Sequence, residues 1–306
     1  MRTVVVKDSK NATLVTGSSG MLGRVLCTHL EKSQKVLRVS RQGLDGGLRC
    51  DLSDPEAVGR LFHEHSVGLV IHTAAYSDVD GCERDPKHAY AANAQAPRNL
   101  SEVCGAKHIP WIHISTNYVF DGRKKTPYVE QDPTGPVNIY GVTKWVGEFY
   151  AKSSVSPCAN VRTSWLFGGP NPKNFVNAIT ERIQKEDLVT VLNNQTDAPT
   201  SVKDLSLALE KIARLLREQP SERRWNETLH VCNGGVATHQ DLTETIRDVL
   251  GRKNVRVEIT DPAKIPNRIA IRPAPMAAMS NARFEKMFDM KLRPWRESLS
   301  EYIKSL

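Results

Sequence analysis

Three glycines spaced by threes, in Thr16-Gly17-Ser18-Ser19-Gly20-Met21-Leu22-Gly23, fall between a short apolar run and the start of a helical pattern. No other stretch restricts the fold as much. Glycine permits a tight strand-to-helix turn, lets backbone N–H groups reach a pyrophosphate, and lets the helix pack close on the strand. The N-terminus of that helix then faces the anion. A glycine pattern alone also fits a flexible turn, but its place after the first strand points to a dinucleotide site at Gly17, Ser19, Gly20, Met21 and Leu22.

The pattern that follows is a repeated β-α rhythm. Short β-branched runs at Thr13–Thr16, Val36–Ser40, Leu69–Thr73, Trp111–Ser115 and Asn160–Thr163 alternate with helical stretches at Met21–Glu31, Pro55–His65, Lys87–Cys104 and Tyr140–Ala151. Such alternation predicts an α/β fold, a Rossmann-type doubly wound parallel sheet covered by helices. Residues 1–165 are expected to form this dinucleotide domain. After Trp165 the rhythm breaks at Gly168-Gly169-Pro170-Asn171-Pro172. Helices are expected near Asn174–Lys185, Val202–Arg217 and Thr238–Leu250, with strands near Leu188–Leu192 and Leu229–Cys232. The proline-rich stretch Asp261–Pro275 reads as a loop. Residues 166–306 therefore read as a smaller, interleaved substrate lobe, with segments near 186–235 returning to the sheet.

Composition excludes several classes. At 40% hydrophobic and 25% charged residues the 306-residue chain is ordinary and globular. No run reaches the ~18 apolar residues of a membrane span. Residues Met1 to Lys10 carry Arg2, Lys7, Asp8 and Lys10 around Val4, Val5 and Val6 only, too little for a signal peptide, so a cytoplasmic protein is expected. The six cysteines lack any Cys-x-x-Cys pair, which argues for reduced thiols and against a metal site. The net charge of +8 is dispersed, densest at Arg123-Lys124-Lys125 and Arg223-Arg224. With no nucleic-acid module present, an anionic cofactor and substrate account for it better than nucleic acid does. A homodimer is left open.

Around the glycine turn, Arg41 ends the second strand where an NAD enzyme often carries an acidic residue; its guanidinium suits a 2′-phosphate, so NADPH is expected, with NADH as an alternative. Asp51 and Leu52 are expected to border the adenine. Ala74 and Ala75 leave room for the cofactor.

Tyr140 and Lys144 stand four residues apart on one helix face. Reducing a ketone needs hydride on one side and a proton for the alkoxide; Tyr140 can supply the proton, with the Lys144 ammonium lowering its pKa. Thr116 or Ser115 can hydrogen-bond the same oxygen. Four runs then carry a resemblance: Val79-Asp80-Gly81-Cys82-Glu83, Ser115-Thr116-Asn117-Tyr118-Val119-Phe120-Asp121-Gly122, Asn138-Ile139-Tyr140-Gly141-Val142-Thr143-Lys144 and Arg162-Thr163-Ser164-Trp165. They resemble the dTDP-4-dehydrorhamnose reductase family of extended short-chain dehydrogenases/reductases, over nearly the whole chain and less closely after Thr200.

The resemblance implies hydride transfer from NADPH or NADH to C4 of a dTDP-linked 4-keto-6-deoxyhexose. It makes Tyr140 the general acid, Lys144 its partner and a ribose contact, and Thr116 the hydroxyl on the substrate oxygen. It also implies substrate contacts from Ser77, Val79, Asn117, Trp165, Asn174 and Arg272, the last toward a diphosphate. The chain departs from the pattern where Asn117 replaces a usual aspartate, Asp78 a small residue, and Thr196-Asp197 an aromatic-glycine pair. A second reading stays open. The regulatory β subunit of methionine adenosyltransferase shares the fold, NADP binding and Tyr-x-x-x-Lys, and differs at Arg162-Thr163-Ser164-Trp165, where it carries an apolar run.

Overall fold

The computed structural model describes residues 11–170, 174–192, 195–218, 225–262 and 268–306. The N-terminal run, Arg223-Arg224, Asn171-Pro172 and part of the proline-rich stretch lie outside them. Seven strands form the main sheet: β1 (Ala12–Thr16), β2 (Val36–Ser40), β3 (Leu48–Arg49), β4 (Val67–His72), β5 (Trp111–Thr116), β6 (Cys158–Thr163) and β7 (Asn226–His230). Their spatial order is β3-β2-β1-β4-β5-β6-β7, and every pairing is parallel. Chain direction of sheet assembly reverses between β1 and β4, so a crevice opens at their carboxyl ends, where ligands bind in such sheets.

The central strands are buried on both faces and mostly apolar, with His72, His113, Asn160 and Arg162 among the buried polar exceptions. One face is covered by α1 (Met21–Leu30) and α8 (Val202–Glu218), where Leu22, Leu26 and Leu30 meet Leu205, Leu209 and Ile212. The other carries α2 (Pro55–Glu64), α5 (Ala96–Lys107) and α6 (Ile139–Ser153), packed through Val58, Leu61, Leu100 and Ala151. Each fully buried leucine or isoleucine contributes about 2 kcal/mol as an upper figure.

The remaining short helices are α3 (Val79–Arg84), α4 (Pro86–Tyr90), α7 (Phe175–Lys185), α9 (His239–Val249), α10 (Ala282–Phe288) and α11 (Trp295–Lys304). A separate apolar cluster unites α7, α9 and α11 through Ile179, Ile183, Leu242, Ile246 and Leu299 around the parallel ribbon Leu188–Val191 with Arg256–Ile259. In contrast, α8, β7 and Phe284 of α10 belong to the main sheet and its core.

The helix expected at Lys87–Cys104 is divided. After α4 comes a π-helical turn, Ala91–Gln95, and then α5, whose first turn holds Pro97. Proline supplies no N–H for an α-helical bond, and the wider turn accommodates it. The strand expected at Leu229–Cys232 begins three residues earlier, because Asn226 already pairs with Cys158. Among the described residues all six cysteines are buried free thiols, no cluster suits a metal ion, and no helix is long and apolar enough to cross a membrane.

Candidate active site

The crevice between β1 and β4 holds two adjoining cavities of about 360 Å³ each, which share Gly17, Gly20, Thr73 and Ala75. Together they make one elongated cleft of the size that takes a dinucleotide and a second ligand. Gly17 is required here twice over. Its φ of +65° lies in the left-handed region, and a Cβ would stand 2.6 Å from the Ala74 nitrogen. No side chain caps the start of α1 and no acidic residue lies in its first turn, so its N–H groups are left to meet an anion.

Ser19, Arg41, Asp51, Leu52, Ala74 and Ala75 line the first cavity. Arg41 hydrogen-bonds the His88 ring at 3.2 Å, and the Ser53 hydroxyl and N–H hold the Asp51 carboxyl below its ordinary range. His88 and the alanines Ala91 and Ala92 of the π-helical turn complete this end. Sequence reasoning missed them, because nothing in the spacing from Arg41 to His88 shows that β2 and α4 meet.

Met21, Leu22, Ser77, Val79, Thr116, Asn117, Tyr140, Lys144 and Trp165 line the second cavity, with Tyr118 and Ser164. Helix α6 enters it end on. Asn138 caps the helix by accepting the Gly141 N–H at 2.7 Å, and a Cβ on Gly141 would collide with the Tyr118 carbonyl at 2.2 Å. The first turn of α6 thereby lies against the end of β5, which brings Tyr140 to Thr116.

Tyr140, Lys144 and Glu148 follow at four-residue intervals on the buried face. Lys144 donates to the Ile114 carbonyl at 2.7 Å, and burial pushes its pKa down to about 8 against the opposing Glu148 carboxylate. Burial raises the pKa of Tyr140, and the hydrogen bond with Thr116 opposes that rise. The lowering of the Tyr140 pKa by Lys144, expected from spacing, does not feature among these influences. Glu148 is bound by both Nε and Nη2 of Arg162, at 2.8 and 2.7 Å, and accepts from Ser115 at 2.6 Å. Arg162 also lies over the Phe120 ring. This buried network fixes the floor beneath Lys144, and the sequence shows only its motif Arg162-Thr163-Ser164-Trp165.

Trp165 has a φ of +39° and stacks on His239 at 4.1 Å, with Phe175 beside that ring at 4.6 Å. Trp165 lines the cavity and also packs against the apolar cluster of the lobe. Two expected substrate residues line neither cavity. Asn174 caps α7 by accepting the Asn177 N–H at 3.0 Å, and Arg272 is engaged with Asp80 at 2.6 Å. Asp78, one of the departures in the sequence, caps α3 by accepting the Gly81 N–H at 2.9 Å.

The fold, the glycine turn at its switch point and the Tyr-x-x-x-Lys pair beside Thr116 define the extended short-chain dehydrogenase/reductase class. The family profile described as RmlD substrate binding domain matches residues 11–306, and the chain belongs to that family. A dTDP-4-dehydrorhamnose reductase of Mycolicibacterium smegmatis is 34% identical over 298 residues, 96% of this chain and 85% of the relative. The crystal structure of a dTDP-4-dehydrorhamnose reductase from Clostridium acetobutylicum has 31% identity and a TM-score of 0.83, covering 96% of this chain and 99% of that one. A Bacillus anthracis dTDP-4-dehydrorhamnose reductase in complex with NADP has 25% identity and a TM-score of 0.85, covering 97% and 100%.

Proposed function

We propose that this chain reduces the 4-keto group of a dTDP-linked 4-keto-6-deoxyhexose, dTDP-4-dehydro-L-rhamnose giving dTDP-L-rhamnose, with NADPH as hydride donor and NADH as a second. One observation carries the reading: Tyr140, Thr116 and Lys144 stand together in the cavity that adjoins the glycine-lined one. Bound NADPH would supply the hydride. Tyr140 holds the proton for the developing alkoxide, Thr116, whose own proton goes to Asn117, positions that phenol, and the Lys144 ammonium holds the cofactor ribose. Arg41 takes the 2′-phosphate, Asp51 and Leu52 the adenosine, and Ser77, Val79, Asn117 and Trp165 the sugar.

For the diphosphate, Arg272, held on Asp80 and within reach of Tyr118, stands with Arg268, which forms no ion pair among the described residues and lies within electrostatic reach of Tyr118 and His239. Residues 166–306, apart from α8, β7 and α10, act as the substrate lobe. Val142, Trp145 and Phe149 form an exposed apolar stripe on α6, 38%, 44% and 63% accessible, which a second copy would cover in a homodimer. The reaction belongs to the cytoplasm, where NADPH and nucleotide sugars are available.

The test is NADPH oxidation with a panel of dTDP- and UDP-linked 4-keto-6-deoxysugars. Turnover with the dTDP-linked sugars supports the reading. A protein that binds NADPH and reduces none of them belongs instead with the regulatory relative.

A further inference from the structure

Two positions at which the chain departs from the pattern of its relatives meet in space. Asn117, at the end of β5, donates through Nδ2 to Asp197 Oδ2 at 2.6 Å, across 80 residues of sequence. Asp197 is fully buried, and among the described residues no arginine, lysine or histidine pairs with it. An ionisable group in that condition is costly to keep, and such groups concentrate where a site depends on them.

The hydrogen bonds run in one direction from Asp197 to the reacting groups. The two carboxylate oxygens accept from two different donors: Oδ1 from the Ala198 N–H at 2.7 Å, Oδ2 from Asn117. The Asn117 amide nitrogen also donates to the Ala277 carbonyl at 3.2 Å, so both of its hydrogens are taken by acceptors. Its carbonyl oxygen must then face the other way, and there it accepts from the Thr116 hydroxyl at 3.1 Å. Thr116 Oγ1 in turn accepts the Tyr118 N–H at 3.2 Å and stands beside Tyr140 in the cavity, where it draws the phenol's pKa down. The Asp197 carboxylate, which only accepts and makes the shorter bond, forces this orientation together with the Ala277 carbonyl.

We propose that Asp197 is a positioning residue for the reduction: it locks the Asn117 amide with its oxygen toward Thr116, and so holds the Thr116 hydroxyl and Tyr140 in one arrangement. The inference rests on the reductase reading given above. Burial pushes the Asp197 carboxyl up to about 6, while Ala198, Ser164 and Asn117 draw it the other way, so it is ionised at neutral pH.

Asp197→Asn discriminates, because a carboxamide offers one acceptor where two donors converge. The backbone N–H of Ala198 is fixed and takes that acceptor. The new amide N–H₂ then faces Asn117, which must turn over and present N–H to Thr116. This variant should lose at least ~10-fold in kcat on the keto sugar. Its NADPH affinity should stay within ~3-fold of the parent, since nothing in this line touches the glycine turn. A role in stability alone would move the melting temperature without this split between kcat and NADPH binding. Should Asp197→Asn fail to fold, Asn117→Leu with Asp197→Leu removes both polar partners together, the form of change buried pairs tolerate best. Folded and able to bind NADPH, it should be as slow as the single variant. An active parent whose folded Asp197→Asn or double-leucine variant keeps parental kcat overturns the inference while leaving the reductase reading intact. A parent that reduces no sugar overturns both.

Discussion

Arg272 closes on Asp80 at 2.6 Å, and the same carboxylate accepts the backbone N–H groups of Ile269 and Ala270, both at 2.9 Å. One side chain of α3 thus fastens the loop at residues 269–272. Asn138 of the α6 cap adds a bond to the Ile271 carbonyl at 2.6 Å, and Gln195 one to the Pro273 carbonyl at 2.8 Å. The loop is tied to elements that line the sugar end of the cleft. Burial pushes the Asp80 carboxyl up, but Arg272 and the two amides outweigh it and hold it at about 2. Asp80→Asn should raise the KM for the keto sugar by ~10-fold and cost about 1–3 kcal/mol of stability, with NADPH affinity unchanged. Equal losses for sugar and NADPH would show that the latch serves the whole cleft, against this prediction.

Arg41 stands at the far end. It is the cation of the first cavity nearest the end of β2, and among the described residues its one hydrogen bond is to a neighbouring imidazole, which leaves guanidinium N–H groups to meet a phosphate. Arg41→Ala should raise the KM for NADPH by ~10-fold or more and leave that for NADH within ~2-fold. Steady-state kinetics with both cofactors decides it; equal shifts would remove Arg41 from the 2′-phosphate.

Much of this was legible in the sequence, for physical reasons. Thr16 to Gly23 announces itself because a turn that tight tolerates few residues, and Tyr140 with Lys144 because helical spacing is local. Strand β3, two residues long, carries too short a pattern to read, and α10 and α11 follow the lobe, where periodicity competes with loops. Long-range pairings were invisible. Asn117 and Asp197 were each readable as departures, yet their contact depends on how the lobe folds back over β5. Arg272 is a similar case: the arginine was legible, and only the structure shows that Asp80 pairs with it.

Acid should unfold the protein early. His72 and His113 lie side by side on β4 and β5, stacked at 5.4 Å and fully buried. Burial, then the Lys144 charge, pushes His72 down to about 3 and His113 well below its ordinary value. Burial likewise pushes His230 to about 3 and His239 to about 4. In the unfolded chain each takes a proton near pH ~6.5. The folded state refuses it, so the stability these groups confer is complete above that pH and falls as the pH drops toward their folded values, by about 1.4 kcal/mol per pH unit for each. Asp197 acts with the opposite sign between about 6 and ~4, where the folded state takes the extra proton, and offsets one histidine. The melting temperature should therefore fall steeply from about pH 7 to about pH 5, and His113→Leu should flatten the slope. A flat profile over that interval would sink the assignment of neutral buried imidazoles.

The last prediction concerns Tyr140 and Lys144 as one unit. Lys144 is charged below about 8 and neutral above, because burial disfavours its ammonium more than Glu148 supports it. The titratable groups that face it are Glu148 on its own helix and His72 and His113 from the sheet, the two imidazoles being neutral through this range. Loss of the charge weakens the ribose contact, so kcat/KM should decline as pH rises through about 8. Tyr140→Phe deletes the proton donor and Lys144→Ala the charge; each should lower kcat by ~10²-fold or more. The double variant should be little slower than the slower single one, since groups acting on one proton transfer are not additive. Tyr140→Phe should still bind NADPH, measured by fluorescence titration, because its hydroxyl hydrogen-bonds Thr116 and not the glycine turn. Near-parental turnover by that variant would exclude Tyr140 as the acid. A kcat/KM that stays level up to about pH 10 would show that the Lys144 charge is not what limits the reaction.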